Sequence, residues 1–330
     1  MFNTLDYYIG KTILITGAAG FIGSATVRAL SKVDCNLVCL TTGNREIEIE
    51  PDSSARISIH NGDIRNPLIW DELLDEIDIV FHFAAQTSSR FANENPVEDM
   101  KTNLIPVVRF IETCLKNNIR PDIVFSGTVT QVGLTTEYPV DESARDSPVT
   151  AYDISKLAAE KYLQYYSREM GGRSVTLRLA NVYGQGSRSS RSDRGILNLM
   201  VRTALSGAPL TVYGDGAYIR DYIYIDDVVG AFLAAGAKIQ NASGSYYVLG
   251  SGKGHNIKEM AETVRNLVGE FTGTHVNIQF VPAPDDLSKI ERRHFVADAV
   301  KFRTVSGWRP VFSLQDGVRR TINFFRKDDP

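Results

Sequence analysis

Cysteine is scarce in this chain, and metal-ligand spacing is missing altogether. The 330 residues include three cysteines, Cys35, Cys39 and Cys114, none of them in a CxxC pair. Neither a metal site nor a disulfide framework is expected, and an odd count of thiols suits a reducing cytoplasm. Long apolar runs are also missing. None reaches the roughly 18 residues that a bilayer-spanning helix requires. Residues 1–10 carry Asp6 and no basic segment ahead of an apolar stretch, so no signal peptide is expected there. Positive charge is not in excess: 36 Lys and Arg stand against 39 Asp and Glu, for a net charge of −3. A nucleic-acid or membrane partner is therefore not expected. Internal repeats and low-complexity tails are absent. What remains is a 43% hydrophobic chain, long enough to bury a large core in two lobes.

The richest stretch is Lys11-Thr-Ile-Leu-Ile-Thr-Gly17-Ala-Ala-Gly20-Phe-Ile-Gly23. A short apolar strand runs into three glycines spaced by three, and a helical pattern follows. Gly17 suits a sharp turn off the strand, Gly20 a close approach of backbone to phosphate, and Gly23 tight helix packing. Phe21, Ile22 and Gly23 then fall in the first helical turn, where free N–H groups and the helix dipole attract an anion. The placement predicts a dinucleotide pyrophosphate site.

Apolar runs alternate with longer helical patterns along the first half of the chain. Strands are expected at 11–16, 36–40, 57–60, 78–83, 121–126 and 174–178, and helices at 21–31, 67–75, 96–117 and 151–170. Runs such as Ile79-Val80-Phe81 are continuous rather than alternating, as in a sheet covered on both faces. The expected fold class is α/β, a Rossmann-type doubly wound parallel sheet with a smaller C-terminal α/β lobe. Residues 1–180 form the expected cofactor domain and 181–330 the substrate lobe, with 221–238 a candidate to pack back on the first. No second glycine-rich phosphate loop follows.

Tyr152-Asp-Ile-Ser-Lys156 places a phenol and an ammonium one helical turn apart. A phenol with a pKa of about 10 is a poor base at neutral pH, and a neighbouring cation supports its anion. Such a pair also arises by chance as surface decoration. Thr128 ends the strand Pro121-Asp-Ile-Val-Phe-Ser126 two residues on, at the carboxyl end that opens into a ligand crevice. Its hydroxyl can reach the oxygen that Tyr152 would deprotonate, or can simply cap a turn.

Together these stretches resemble the extended short-chain dehydrogenase/reductase family of nucleotide-sugar epimerases and dehydratases. The marks are the glycine triplet, Gly62-Asp-Ile-Arg65, His82-Phe-Ala-Ala85, Asn103, Ser126-Gly-Thr128, Tyr152 with Lys156, Leu177-Arg-Leu-Ala-Asn181-Val-Tyr-Gly184, Tyr213-Gly-Asp-Gly216, Arg220-Asp-Tyr-Ile-Tyr-Ile-Asp-Asp227 and Arg293-His-Phe-Val-Ala-Asp298. The resemblance implies Tyr152 as acid/base, Lys156 as its electrostatic support and a ribose ligand, and Thr128 as the positioner of the reacting hydroxyl. It implies cofactor contacts at Asp63, Ile64, Ala84, Ala85 and Asn103, and a substrate diphosphate held by Asn181, Arg220 and Arg293. Plain alternatives exist for Asp63 as a turn cap, Asn103 as a mid-helix polar residue and Arg293 as a solvated charge. Helices 96–117 and 151–170 resemble those that pair in the family's homodimers.

Two departures bear on function. Enzymes of this fold that prefer NAD usually carry an acid after the second strand. Here Thr41-Thr-Gly-Asn-Arg45 stands there, and the hydroxyls with Arg45 suit a 2′-phosphate, so the cofactor is NAD or NADP. The family's 4,6-dehydratases follow the Thr with an Asp-Glu pair, whereas Val129 and Thr130 occupy those positions, which argues against dehydration. The expected function is a nucleotide-sugar epimerase, acting at C4 of a UDP-hexose-type substrate in the cytoplasm. The alternatives are an NADPH-dependent reductase of a nucleotide-linked keto-sugar and a non-catalytic cofactor-binding protein.

Overall fold

A computed structural model describes residues 4–43, 46–49, 51–135, 137–186, 195–284 and 287–328. The first half alternates as the sequence predicts: β1 (Thr12–Thr16), α1 (Phe21–Leu30), β2 (Asn36–Thr41), β3 (Arg56–Asn61), α2 (Ile69–Leu73), β4 (Ile79–His82), α3 (Ser89–Glu94), α4 (Pro96–Asn103), α5 (Ile105–Lys116), β5 (Asp122–Thr128), α6 (Ala151–Glu169) and β6 (Arg173–Leu179). The second half adds β7 (Asn181–Tyr183), α7 (Ile196–Leu205), β8 (Leu210–Tyr213), β9 (Ile219–Tyr224), α8 (Ile225–Ala237), α9 (Ile239–Ala242), β10 (Ser245–Leu249), β11 (Gly254–Asn256), α10 (Ile257–Thr272), β12 (Ile278–Val281), α11 (Val300–Ser306) and α12 (Leu314–Asp328).

The main sheet has seven parallel strands in the order β10-β6-β5-β4-β1-β2-β3. The order reverses between β1 and β4, which opens a crevice at their carboxyl ends. Ile13, Leu14, Ile15, Val80, Phe81, Ile123, Val124 and Phe125 are buried to the last atom, as strands covered by helices on both faces must be. Two small sheets, β11-β9-β7 and β12-β8, stand outside this sheet.

Two features go beyond the sequence reading. The helix expected at 96–117 is two helices. Pro106 has no N–H and its ring would meet the carbonyl of Thr102, so the chain breaks at Leu104 (φ −114°, ψ −56°) and restarts. The seventh strand, β10, comes from far down the chain and was not among the expected strands. Beside it, α8 packs on the main sheet: Phe232 meets the Phe83 ring edge-on at 4.7 Å, and Tyr8 donates a hydrogen bond of 2.6 Å to the Leu233 carbonyl.

Candidate active site

A cleft of about 1350 Å³ opens at the switch point and collects most of the residues singled out from the sequence. Its floor is the turn after β1. Gly17 has φ +68°, and a Cβ there would lie 2.8 Å from the Ala84 amide nitrogen. A Cβ on Gly23 would lie 2.2 Å from the Gly17 carbonyl oxygen. Gly23 therefore lets the first turn of α1 close on the glycine turn itself. Gly20, Phe21 and Ile22 complete the floor. Among the described residues this bare backbone at a helix N-terminus is a cradle that a single Cβ would fill, and a pyrophosphate fits it.

The neighbouring wall is held by a buried pair that sequence reasoning left without a role. Thr16 Oγ1 accepts from the Ala84 amide at 3.2 Å and lies 2.8 Å from His82 Nδ1. The hydroxyl keeps a second lone pair, so the donor in that contact is set by the His82 tautomer. Burial, with the nearby Lys156 charge, pushes the His82 pKa down to about 3, so the ring is neutral. This clamp sets the path of Phe83, Ala84 and Ala85 along the cleft. Asn103 stands one layer behind that wall: its amide donates to Gln86 O (2.9 Å) and Asp99 Oδ1 (2.7 Å) and its oxygen accepts from Gln86 N (3.1 Å). It pins the wall rather than facing the cleft, because its side chain is spent on the Gln86 backbone and on Asp99 of α4.

Thr41 and Thr42, at the end of β2, and Asp63 and Ile64, after β3, line the far end. Arg65 grips the Asp63 carboxylate through Nε and Nη2, the closest contact 2.6 Å, which holds that carboxyl below its usual range. Thr41, Thr42 and Gly43 contribute no carboxylate there. Arg45, expected beside them, lies outside the described residues.

On the opposite wall Thr128, Tyr152 and Lys156 converge from β5 and α6. Lys156 is 1% exposed with its ammonium 4.0 Å from the centre of the Phe125 ring. Burial pushes its pKa down to about 7, opposed by the charges of Asp99 and Glu160. Thr128 caps the short turn after β5, with its amide bonded to Gln131 Oε1 at 3.1 Å and its hydroxyl 2.8 Å from that of Thr130. Thr130 in turn donates to Asp153, a buried carboxylate on α6. The sequence reading gives Thr130 only the part of a non-acid after Thr128 and gives Asp153 none, although Asp153 directly follows Tyr152.

The remaining end is cationic. Arg293 lines the cleft with its Nη1 on the Ile290 carbonyl (2.8 Å) and its Nη2 on Asn181 Oδ1 (3.4 Å). Its Nε is buried without a partner, as is the Tyr222 hydroxyl on the same wall. Burial and the adjacent Arg220 push the Arg293 pKa down to about 10. Arg220 does not reach the cleft. Its guanidinium is turned onto the carbonyls of Arg293 and Glu291, the latter at 2.6 Å, so it braces the Arg293 segment from behind. Unpartnered buried donors, one of them on the Arg293 guanidinium itself, suit an anion with several oxygens.

A parallel sheet with a glycine turn at its switch point and a Tyr–Lys pair across the cleft defines a dinucleotide-dependent enzyme of the short-chain dehydrogenase/reductase kind. Comparison with known proteins gives the family: the profile of the NAD dependent epimerase/dehydratase family matches residues 13–250, and the chain belongs to that family. The UDP-glucose 4-epimerase of Mycolicibacterium smegmatis is 28% identical over 317 residues, 95% of this chain and 98% of its own length. Among solved structures, the UDP-glucose 4-epimerase of Thermotoga maritima with UDP-glucose is 28% identical, with a TM-score of 0.84 over 96% of this chain and 99% of that one. The UDP-glucose 4-epimerase of Thermus thermophilus with NAD is 29% identical, with a TM-score of 0.80 over 96% and 99%.

Proposed function

We propose that the protein is an NAD-dependent nucleotide-sugar epimerase, acting at C4 of a UDP-hexose-type substrate through a transient keto-sugar. The observation that carries this reading is a single cleft with the glycine turn at its floor, Thr128, Tyr152 and Lys156 on one wall and Arg293 at its end. The relatives described above, UDP-glucose 4-epimerases over nearly their whole length, support it.

NAD, when bound, supplies the redox step by taking a hydride from the sugar carbon and giving it back. The chain's own residues do the rest. Tyr152 takes the proton of the sugar hydroxyl and returns it; Lys156, one turn along α6, supports the phenolate and reaches the nicotinamide ribose. Thr128 holds the reacting oxygen. Asn181 and Arg293, braced by Arg220, hold the diphosphate, whose oxygens would satisfy Arg293 Nε and the Tyr222 hydroxyl. Asp63 and Ile64 meet the adenine, and Ala84 and Ala85 lie along the cofactor. An anchor at the diphosphate leaves the sugar ring free to turn and present its other face.

In this reading residues 1–180 form the cofactor lobe, with 221–238 packing back on it, and the rest of 181–330 the substrate lobe. Exposed Val97 and Met100 on α4, with Ile154, Tyr162 and Tyr165 on α6, support a homodimer, which sedimentation at micromolar concentration would detect. Three buried free thiols suit the cytoplasm.

The deciding experiment incubates the enzyme with UDP-glucose, UDP-galactose or UDP-N-acetylglucosamine and catalytic NAD, following sugars by NMR and nicotinamide by absorbance. The expected result is the C4 epimer with no net NADH. Stoichiometric NADPH oxidation with a keto-sugar would replace this reading with the reductase, which the missing carboxylate after β2 favours. Cofactor binding with no turnover of any substrate would leave a non-catalytic protein.

A further inference from the structure

Lys156 carries a buried ammonium to which the described carboxylates supply no ion pair. Asp99 and Glu160 act on it through their charge alone. Asp99 Oδ1 is bonded to Gln86 and Asn103, and its Oδ2 meets no donor. Glu160 is bonded to Arg178 and Gln131. What the ammonium meets is a ring: Nζ stands 4.0 Å from the centre of Phe125. Phe125 is fully buried on β5 and is paired across the sheet with His82 of β4. The two rings are nearly parallel, 5.7 Å apart, and His82 rests against Trp70 at 5.7 Å. This stack fixes the Phe125 ring. His82 adds no repulsion, because burial and the Lys156 charge push its pKa down to about 3 and leave it neutral.

We propose that Phe125 is a positioning residue, the face of its ring holding the Lys156 ammonium beside Tyr152 without neutralising it. This inference rests on the epimerase reading for the reaction that the ammonium serves. An ammonium has three N–H donors. The ring face takes one, and two remain for the Tyr152 phenolate and the nicotinamide ribose, as the mechanism requires. A carboxylate in place of the ring would also hold the ammonium, but its charge would cancel the field that supports the phenolate. A ring has a quadrupole and no net charge, so it attracts the cation and leaves that field nearly whole. The attraction is strongest for a desolvated cation, and Lys156 is one. The titratable groups around the ammonium are His82 of β4, Asp99 of α4, and Tyr152 and Glu160 of α6. Burial pushes the Lys156 pKa down to about 7, and the ring opposes that fall. A weaker ring therefore lowers the Lys156 pKa further, and Tyr152, losing support, titrates higher.

The test replaces Phe125 with mono-, tri- and pentafluorophenylalanine, which drain the ring face in steps at nearly constant shape. The Lys156 midpoint is read without substrate, by NMR on ¹³C-ε-lysine in the cofactor-free protein, with the signal assigned by its loss in Lys156→Met. It should fall in step with the fluorine count. At neutral pH kcat should fall with it, by about tenfold across the series, with KM within about twofold and the acid limb moved upward. Phe125→Leu, apolar but without a ring, should match the pentafluoro protein in midpoint and kcat. A role in packing alone would leave the fluorinated series level and set only the leucine variant apart. A midpoint that stays fixed across the series overturns the proposal, and so does a kcat in the pentafluoro protein within about twofold of the unmodified enzyme. Should the unmodified protein turn over no nucleotide sugar, the epimerase reading falls by itself. The Lys156 midpoint then decides the role of the ring, and an unmoved midpoint refutes it.

Discussion

Arg178 and Glu160 meet as a doubly hydrogen-bonded ion pair, at 2.8 and 2.7 Å, with both side chains fully buried. The pair lies directly behind the site. Glu160 also accepts from Gln131 Nε2 at 3.2 Å, and Gln131 Oε1 accepts from the Thr128 amide at 3.1 Å. Arg178 reaches Asp146 at 2.6 Å and stacks 3.6 Å over the Tyr246 ring. The backbone of Thr128 is thus tied to charges in the core.

Removing one partner of such a pair strands the other. Glu160→Ala should lower stability by about 3–5 kcal/mol, since it leaves a buried guanidinium with only Asp146 as a counter-charge. Urea unfolding measures this. A loss under about 1 kcal/mol would mean that the pair behaves like an exposed one.

Lys156 should leave a signature in the pH dependence of stability. Its folded pKa of about 7 lies below the ordinary 10.5. Between those values the unfolded chain holds a proton that the folded chain lacks, so stability rises with pH across that window. Below pH 7 the cost of burying the charge is fully felt. Lys156→Met removes it, so the variant's advantage over the unmodified protein should be largest near neutral pH and shrink toward pH 10 in cofactor-free unfolding curves. An advantage that stays constant with pH would contradict the assignment.

Tyr152→Phe should retain NAD binding and lose roughly 10²–10⁴ in turnover, because the phenol is the group placed to carry the substrate proton. Thr128→Val should lose less, since it removes a positioning contact and leaves the base. Initial rates beside NAD titrations separate the two effects. A fully active Tyr152→Phe enzyme would rule out the chemistry.

The glycine turn separates cofactor binding from folding. A Cβ on Gly20 would lie 3.0 Å from the Gly17 carbonyl oxygen, whereas one on Gly23 would lie 2.2 Å from it. Gly20→Val should weaken NAD by about tenfold or more with a modest drop in stability. Gly23→Val should lose both, because the first turn of α1 can no longer close. Calorimetric titration and thermal unfolding read the pair. The same titration with NADP tests the end of β2: comparable affinity for the two cofactors follows from hydroxyls at Thr41 and Thr42 in place of an acid, and a strong preference for NAD would mean that the missing acid is compensated elsewhere.

The main-sheet strands before residue 180, the glycine turn and the Tyr152–Lys156 pair could be read from the chain alone, because each depends on neighbours within a few residues. Periodicity, a turn that only glycine enters and the four-residue pitch of a helix are local properties. The tertiary structure decided what depends on long separations. Only packing reveals that β10 completes the sheet, that Arg220 braces Arg293 instead of facing the cleft, and that Asn103 pins a wall. The Thr128–Thr130–Asp153 row likewise joins two elements more than twenty residues apart. A hydrogen bond or a buried charge acts through distance in space, and the chain's order does not encode that distance until the fold has closed.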